Sequence, residues 1–294
     1  MDMRIIGGFC PGVERAYKMV LKLQEKNPDK QVVLLGELVH NKDVLAKLEE
    51  SGIVTVDSVD DLASVDTDKT LLPIIRAHGT TIEDEEYLKG WLAERYGSAD
   101  VRYMDLTCIY VKKGPQKSAA DFSEQGYKVV VFGKKGHPEV EGIASRAKDV
   151  VIYEKPEDVD PADFLYANKV CTVAQTTSEI TKYFVLEQNL RDLGLEVEIV
   201  DTYCDATKEN QGGIKGIAEW ADMVVVVGGS NSSNTKKLYD ICSRDVTTYK
   251  IENSDGLQPE WFKDRPQRIG IAAGASTPPW AIDDVKETIE RYYI

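Results

Sequence analysis

Three cysteines carry the strongest chemical signal in this chain. Cys10, Cys108 and Cys204 are spaced 98 and 96 residues apart. Each ends a short apolar strand and polar turn (3–10, 101–108 and 197–204), and each is followed by a polar helical stretch. Three in-phase thiolates suit a [4Fe–4S] cluster with one iron free of protein ligands, whereas electron carriers use four cysteines. An open iron polarises a substrate oxygen as a Lewis acid. Zinc is the competing metal, but structural zinc sites use closely paired ligands, and the chain has no CxxC pair. Cys171, in Val170-Cys171-Thr172-Val173, and Cys242, in Ile241-Cys242-Ser243, are out of phase and read as small buried hydrophobes.

The three histidines, His40, His78 and His137, all fall in loops after apolar runs. Their N–H groups suit a phosphate-bearing ligand. The loop Gly228-Gly229-Ser230-Asn231-Ser232-Ser233-Asn234 offers hydroxyls, amides and the N–H groups of a following helix start, which together make an anion cradle. Gly274-Ala275-Ser276-Thr277 is a weaker second cradle, and no GxxxxGK[ST] phosphate loop occurs. Gly136-His137-Pro138-Glu139-Val140-Glu141-Gly142 holds two carboxylates. Glu139 lies nearer the strand end and is the expected proton donor. Glu141 reads as part of a solvated acidic turn.

The elements that must position these groups recur with the cysteines. Apolar runs at 31–35, 129–132 and 223–227 each lead into a polar loop, and second runs follow at 71–75, 170–173 and 268–272. The second set ends in Arg76-Ala77-His78-Gly79, Gln175-Thr176-Thr177-Ser178 and Gly274-Ala275-Ser276. Helical segments are expected at 41–51, 83–96 and 177–193. Short Val/Ile runs alternating with helices imply parallel sheets with both faces covered. The expectation is an α/β fold of three pseudo-threefold-related units, a trefoil with mostly parallel sheets around a central iron–sulfur cluster. The units run 11–107, 108–203 and 204–294, the third completed by strand 1–10. Ligands of such sheets gather at the carboxyl ends of the strands, where these loops lie.

Composition narrows the function classes. The 294-residue chain has a net charge of −14 and a pI near 4.8. Such a chain lacks the basic face of a nucleic-acid binder and is repelled by an anionic membrane surface. A local positive site for an anionic substrate remains compatible with it. No apolar run reaches transmembrane length, and the first eight residues have too short an apolar core for a signal peptide. A cytoplasmic protein is expected, and five cysteines, an odd count, argue against a disulfide framework.

Together these motifs resemble the 4-hydroxy-3-methylbut-2-enyl diphosphate reductase (LytB) family. The resemblance runs over essentially the whole chain. It rests on Gly8-Phe9-Cys10, Val39-His40-Asn41, Ala77-His78-Gly79, Thr107-Cys108 and the His137–Gly142 segment. Further on it rests on Gln175-Thr176-Thr177, Cys204-Asp205-Ala206-Thr207 with Gln211, Asn231-Ser232-Ser233-Asn234 and Ala273-Gly274-Ala275-Ser276. The resemblance implies a [4Fe–4S] cluster on Cys10, Cys108 and Cys204. It also implies removal of the hydroxyl of (E)-4-hydroxy-3-methylbut-2-enyl diphosphate as water. The products are isopentenyl and dimethylallyl diphosphate, in the last step of the methylerythritol phosphate route to isoprenoids. Reduced ferredoxin or flavodoxin would donate the electrons. His40, His78, His137, Ser232, Asn234 and Ser276 would hold the diphosphate, with Ser233 and Thr207 as further pocket residues. Glu139 would relay the proton, with Thr176 beside it.

The chain departs from the usual family pattern at Pro11, at Ile109-Tyr110, at Asn210 and at Gly133-Lys134-Lys135-Gly136. These positions flank the ligands and leave them intact. The other readings are a paralogous [4Fe–4S] reductase acting on another substrate, a zinc hydrolase or lyase, and a phosphometabolite-binding protein.

Overall fold

The computed structural model describes residues 1–97 and 102–294. In chain order the strands are β1 (Asp2–Gly7), β2 (Lys30–Leu35), β3 (Val54–Val56), β4 (Thr70–Ile75), β5 (Met104–Asp105), β6 (Lys128–Phe132), β7 (Val150–Tyr153), β8 (Lys169–Ala174), β9 (Glu196–Ile199), β10 (Met223–Val227), β11 (Thr248–Ile251) and β12 (Arg268–Ala273). They form three four-stranded sheets, ordered β3-β2-β4-β5, β7-β6-β8-β9 and β1-β12-β10-β11. Every pairing is parallel. Read from the opposite edge, the third sheet repeats the order of the other two, with β1 in the place of β5 and β9. The α/β class and the threefold repetition are thus as the sequence implies.

The helices explain the continuous apolar runs. Strand β10 is Met-Val-Val-Val-Val and wholly buried, because both faces of its sheet are covered. Val225 and Val227 point to one face with Ile282, Val285 and Ile289 of helix Pro279–Arg291. Val224 and Val226 point to the other, with Ile214 and Ile217 of helix Asp205–Trp220 and Leu238 and Ile241 of helix Ser233–Cys242. Each such side chain contributes roughly 1.5 to 3 kcal/mol by leaving water. No helix among the described residues is long and apolar enough to cross a membrane.

Some elements differ from expectation. Strands β3, β7 and β11 go unnoticed in the sequence. Each is an edge strand of only three or four residues with one paired neighbour, so its apolar pattern is short and half-solvated. Of the strand and turn expected over 101–108, the strand pairs with β4 only at Met104–Asp105; Val101 lies outside the described residues. The helical stretch after Cys108 is broken at Lys112–Gln116, where Gly114 leaves helical geometry and Pro115 follows. Proline removes a backbone donor and clashes with the preceding turn, so a kink there is expected.

The chain divides into two compact units. The first comprises Met1–Arg15, Val39–Glu50 and Asp205–Ile294, and contains the third sheet. The second comprises Ala16–Leu38 and Ser51–Cys204, and contains the other two.

Candidate functional site

In the first unit, polar groups gather where β1, β10 and β12 end. Gly7 closes β1 at φ 85°, and a Cβ there would lie 2.1 Å from the Ala273 carbonyl oxygen, so only glycine fits. The chain then runs along the loop after β12. Gly8 N–H donates to the Ala273 carbonyl (3.2 Å) and Cys10 N–H to the Ala275 carbonyl (3.1 Å), which fastens Cys10 to the loop that carries Ser276. The loop after β10 approaches the His40 loop equally closely: a Cβ on Gly229 would lie 2.0 Å from the His40 carbonyl oxygen. Asn41 then caps helix Lys42–Glu50, its Oδ1 accepting Val44 N–H at 3.1 Å.

Ser232 caps helix Ser233–Cys242 by accepting Thr235 N–H (3.3 Å). Ser233 and Asn234 therefore lie in its first turn, where the helix dipole favours an anion. Asn234 Nδ2 and Ser276 Oγ are buried and, among the described residues, have no hydrogen-bond partner. An unsatisfied buried donor costs about 1 to 3 kcal/mol, which a ligand rich in acceptor oxygens relieves. Thr207 is buried in helix Asp205–Trp220.

In the second unit, the groups are titratable. Leu106 and Cys108 N–H donate to the carbonyls of Ile75 and Ala77 (3.0 and 2.9 Å), so the end of β5 is fastened to the His78 loop. Asp105 accepts the Thr107 N–H (2.8 Å) and hydroxyl (2.5 Å) and pairs with Lys112. Burial works to raise its pKa, but Lys112 and Thr107 outweigh it and hold the carboxyl below its usual range. Cys108 caps Ile109–Val111. Burial raises its thiol pKa, the Tyr110 and Val111 N–H groups pull it back, and Cys204 and Glu139 add negative neighbours. Those N–H groups are what a thiolate ligand requires. Cys204 follows β9, whose end is held by a reciprocal bond between Thr202 Oγ1 and the Ala174 backbone, both legs 2.9 Å.

His137 caps helix Pro138–Ala144. Its Nδ1 accepts Glu139 N–H (3.2 Å), which leaves Nε2 to carry the proton. The His78 and His137 rings meet edge to face, 5.2 Å apart. Glu139 is 2 % exposed. Its Oε1 accepts Thr176 N–H (2.6 Å) and its Oε2 accepts the Thr176 hydroxyl (3.1 Å).

Glu141 corrects the sequence reading. It is not on a solvated turn but half-buried in the first turn of the helix capped by His137, and it accepts Gly136 N–H at 2.7 Å. Cys171 and Cys242 are fully buried, as expected, and burial pushes both thiols up to about 12. Sequence reasoning passed over Gln116, whose buried Nε2 has no partner among the described residues and faces Gly79 and Gly142. It also passed over Thr235; the Ser232-x-x-Thr235 spacing of a helix cap was its only signal. Among the described residues no three His, Cys, Asp or Glu side chains group around a single-ion position.

Parallel strands ending in thiols, imidazoles, a buried carboxylate and open hydroxyl and amide donors define an α/β protein that binds at strand carboxyl ends. The particular family follows from comparison. The family model described as LytB protein matches residues 6–290. A relative from Nitratiruptor sp., named 4-hydroxy-3-methylbut-2-enyl diphosphate reductase, is 35% identical over 288 residues, covering 98% of this chain and 97% of its own. The solved structure of an (E)-4-hydroxy-3-methyl-but-2-enyl diphosphate reductase, described as the terminal enzyme of the non-mevalonate pathway, is 34% identical. It superposes with a TM-score of 0.68 over 99% of both chains. The Plasmodium falciparum reductase structure, at 24% identity, shares the fold with a TM-score of 0.82 over 97% of this chain and 86% of its own. The chain belongs to the LytB family and is an oxidoreductase.

Proposed function

We propose that this chain reduces (E)-4-hydroxy-3-methylbut-2-enyl diphosphate to isopentenyl and dimethylallyl diphosphate, with a [4Fe–4S] cluster held by Cys10, Cys108 and Cys204. The net reaction takes up two electrons and two protons and releases water. The observation that carries the reading is the buried Glu139–Thr176 pair, a positioned acid within electrostatic reach of Cys108 in a chain of this family. The donor set fits a cluster: Cys108 is half-buried, receives backbone N–H groups and lies within electrostatic reach of Cys204. A cluster spreads its thiolates more widely than a single ion does, so the lack of a single-ion grouping bears only on a mononuclear site. When bound, such a cluster supplies the electrons and a Lewis-acidic iron.

The chain's own residues do the rest. Ser232, Asn234 and Ser276 donate to diphosphate oxygens, with Ser233, Thr207 and His40 in the same unit; His78 and His137 supply N–H donors. Clamping the diphosphate orients the C–O bond that breaks. Glu139 holds the proton that lets water leave, and hydrogen bonding selects the oxygen that carries it. Oε1 faces a backbone N–H, which can only donate. Oε2 faces a hydroxyl, which can turn and accept, so Oε2 is the oxygen suited to carry that proton when Glu139 is protonated. Thr176 then hands a proton onward as Glu139 gives one up.

Reduced ferredoxin or flavodoxin fits as donor to a cytoplasmic enzyme of this kind, and the division into repeats 11–107, 108–203 and 204–294 with 1–10 accompanies the reading. The test is an anaerobic assay with the hydroxylated allylic diphosphate and a reduced dye, following substrate-dependent dye oxidation. Turnover with release of both isomers is expected. An intact cluster with no turnover would replace this reading with a reductase for another substrate. A colourless zinc protein would remove the redox reading altogether.

A further inference from the structure

Thr235 lies outside the proposed ligand set, yet it sits directly beneath it. It is 0% exposed, and its N–H donates to Ser232 Oγ. Its side chain lies against the two glycines that follow β10 and β12. A Cβ on Gly228 would come within 2.4 Å of Thr235 Oγ1, and one on Gly274 within 2.3 Å. Gly228 has φ 153°, so neither its conformation nor its space admits a side chain. Two threonine hydroxyls occupy this corner. Thr277 Oγ1 donates to the Val227 carbonyl at 2.9 Å. Thr235 Oγ1 is buried and, among the described residues, has no partner.

A buried hydroxyl without a partner is a cost that an isosteric valine would not carry. The same corner holds Asn234 Nδ2, at the start of Thr235's own helix, and Ser276 Oγ, on the loop after β12, both likewise without a partner among the described residues. Three open hydrogen-bonding groups at the ends of two adjacent strands describe a site whose bonds are completed in another state. Thr235 is too deeply buried to reach a ligand itself. Its hydroxyl lies against Gly228 and Gly274, whose backbone is open to it.

We propose that Thr235 is a positioning residue for the anion site. Its hydroxyl bonds the backbone of these loop ends when a diphosphate draws Ser232, Asn234 and Ser276 onto its oxygens, and so holds both loops in the bound arrangement. The inference rests on the reading of that cradle as a diphosphate site.

The test uses the full-length, anaerobically purified protein with inorganic pyrophosphate as probe, comparing wild type, Thr235→Val and Thr235→Ser. Calorimetric titration gives affinity, and melting temperature gives the stability of the unliganded protein. Thr235→Val should melt at or above wild type but bind pyrophosphate about 3- to 10-fold more weakly, the worth of one neutral hydrogen bond. Thr235→Ser should bind within about twofold of wild type, because it retains the hydroxyl. A merely structural hydroxyl would instead lower the melting temperature of Thr235→Val, and that outcome overturns the proposal. Unchanged pyrophosphate affinity in Thr235→Val overturns it too, as does equal weakening in Thr235→Ser, which would assign the effect to packing. If wild type itself fails to bind pyrophosphate, the diphosphate reading falls first and this inference with it.

Discussion

The strand-end cluster of the first unit and that of the second are built on the same parallel four-stranded scaffold but differ in how their central side chains are hydrogen-bonded. In the first, Asn234 Nδ2, Thr235 Oγ1 and Ser276 Oγ are buried and, among the described residues, open. In the second, both oxygens of Glu139 are engaged by one residue, Thr176. The open groups of the first cluster are an amide and two hydroxyls, which keep their hydrogen-bonding character at any physiological pH. The second combines a carboxylate, two imidazoles and two thiols, all of which exchange protons. Open neutral donors suit holding a constant negative charge, and engaged titratable groups suit moving protons beside a redox centre. A cluster specialised for binding can leave its bonds unmade until the ligand comes. One specialised for proton transfer must already be organised.

The largest break in this contrast should come from the thiols. Cys108→Ser should abolish the cluster, with iron and sulfide both lost. Cys171→Ser and Cys242→Ser should retain it, because burial holds those thiols near 12 and thus protonated. Metal and sulfide analysis of anaerobic protein decides the matter, and stoichiometric zinc without sulfide would defeat the assignment.

Next in size is the acid. Glu139→Gln preserves the shape while removing the proton, so turnover should drop by about 100-fold or more with iron content unchanged. Glu141→Gln should lose far less, since its carboxylate serves the Gly136 N–H and the helix N-terminus. A larger loss in Glu141→Gln would transfer the acid role to it.

Smaller effects should follow in the first unit. Asn234→Ala or Ser276→Ala should weaken diphosphate binding by roughly 1.5 to 3 kcal/mol, the range for hydrogen bonds to charged groups. Neither should destabilise the unliganded protein, because neither donor is satisfied there. A fall in melting temperature without loss of affinity would reverse the roles assigned to the two clusters.

The smallest effect concerns Glu187, which is 3% exposed on helix Ile180–Asp192. Burial raises its pKa to about 7, against the lowering influence of Arg191. The folded protein therefore keeps this proton to higher pH than the unfolded chain does. Its contribution to stability is fully present in acid and is lost as pH rises through about 7. Glu187→Gln should remove that dependence and melt higher than wild type at alkaline pH, by on the order of 1 to 3 kcal/mol at most. Parallel melting curves against pH for the two proteins would refute it.

Much of this was legible in the residues alone. The central strands could be read because parallel strands buried on both faces are uninterrupted Val/Ile runs, as at 223–227 and 129–132. The edge strands β3, β7 and β11 could not, since three or four half-solvated residues look like loop. Glu141 was misread because a solvated turn and a helix start share the same letters. What separates them is that His137 Nδ1 accepts a backbone N–H, which is a matter of geometry.

The sequence by itself determined which chemical groups recur, and at what period: a thiol about every hundred residues, with polar loops behind apolar runs. Local composition and spacing are enough for that, because strand and helix periodicities are properties of neighbouring residues. Only the tertiary structure decided that β1 pairs with β12, residues 2–7 against 268–273. It alone set Thr176 on the two oxygens of Glu139, and left Thr235 buried with its hydroxyl open. Burial and hydrogen-bond satisfaction are relations between residues far apart in the chain, and they exist only once the chain has packed.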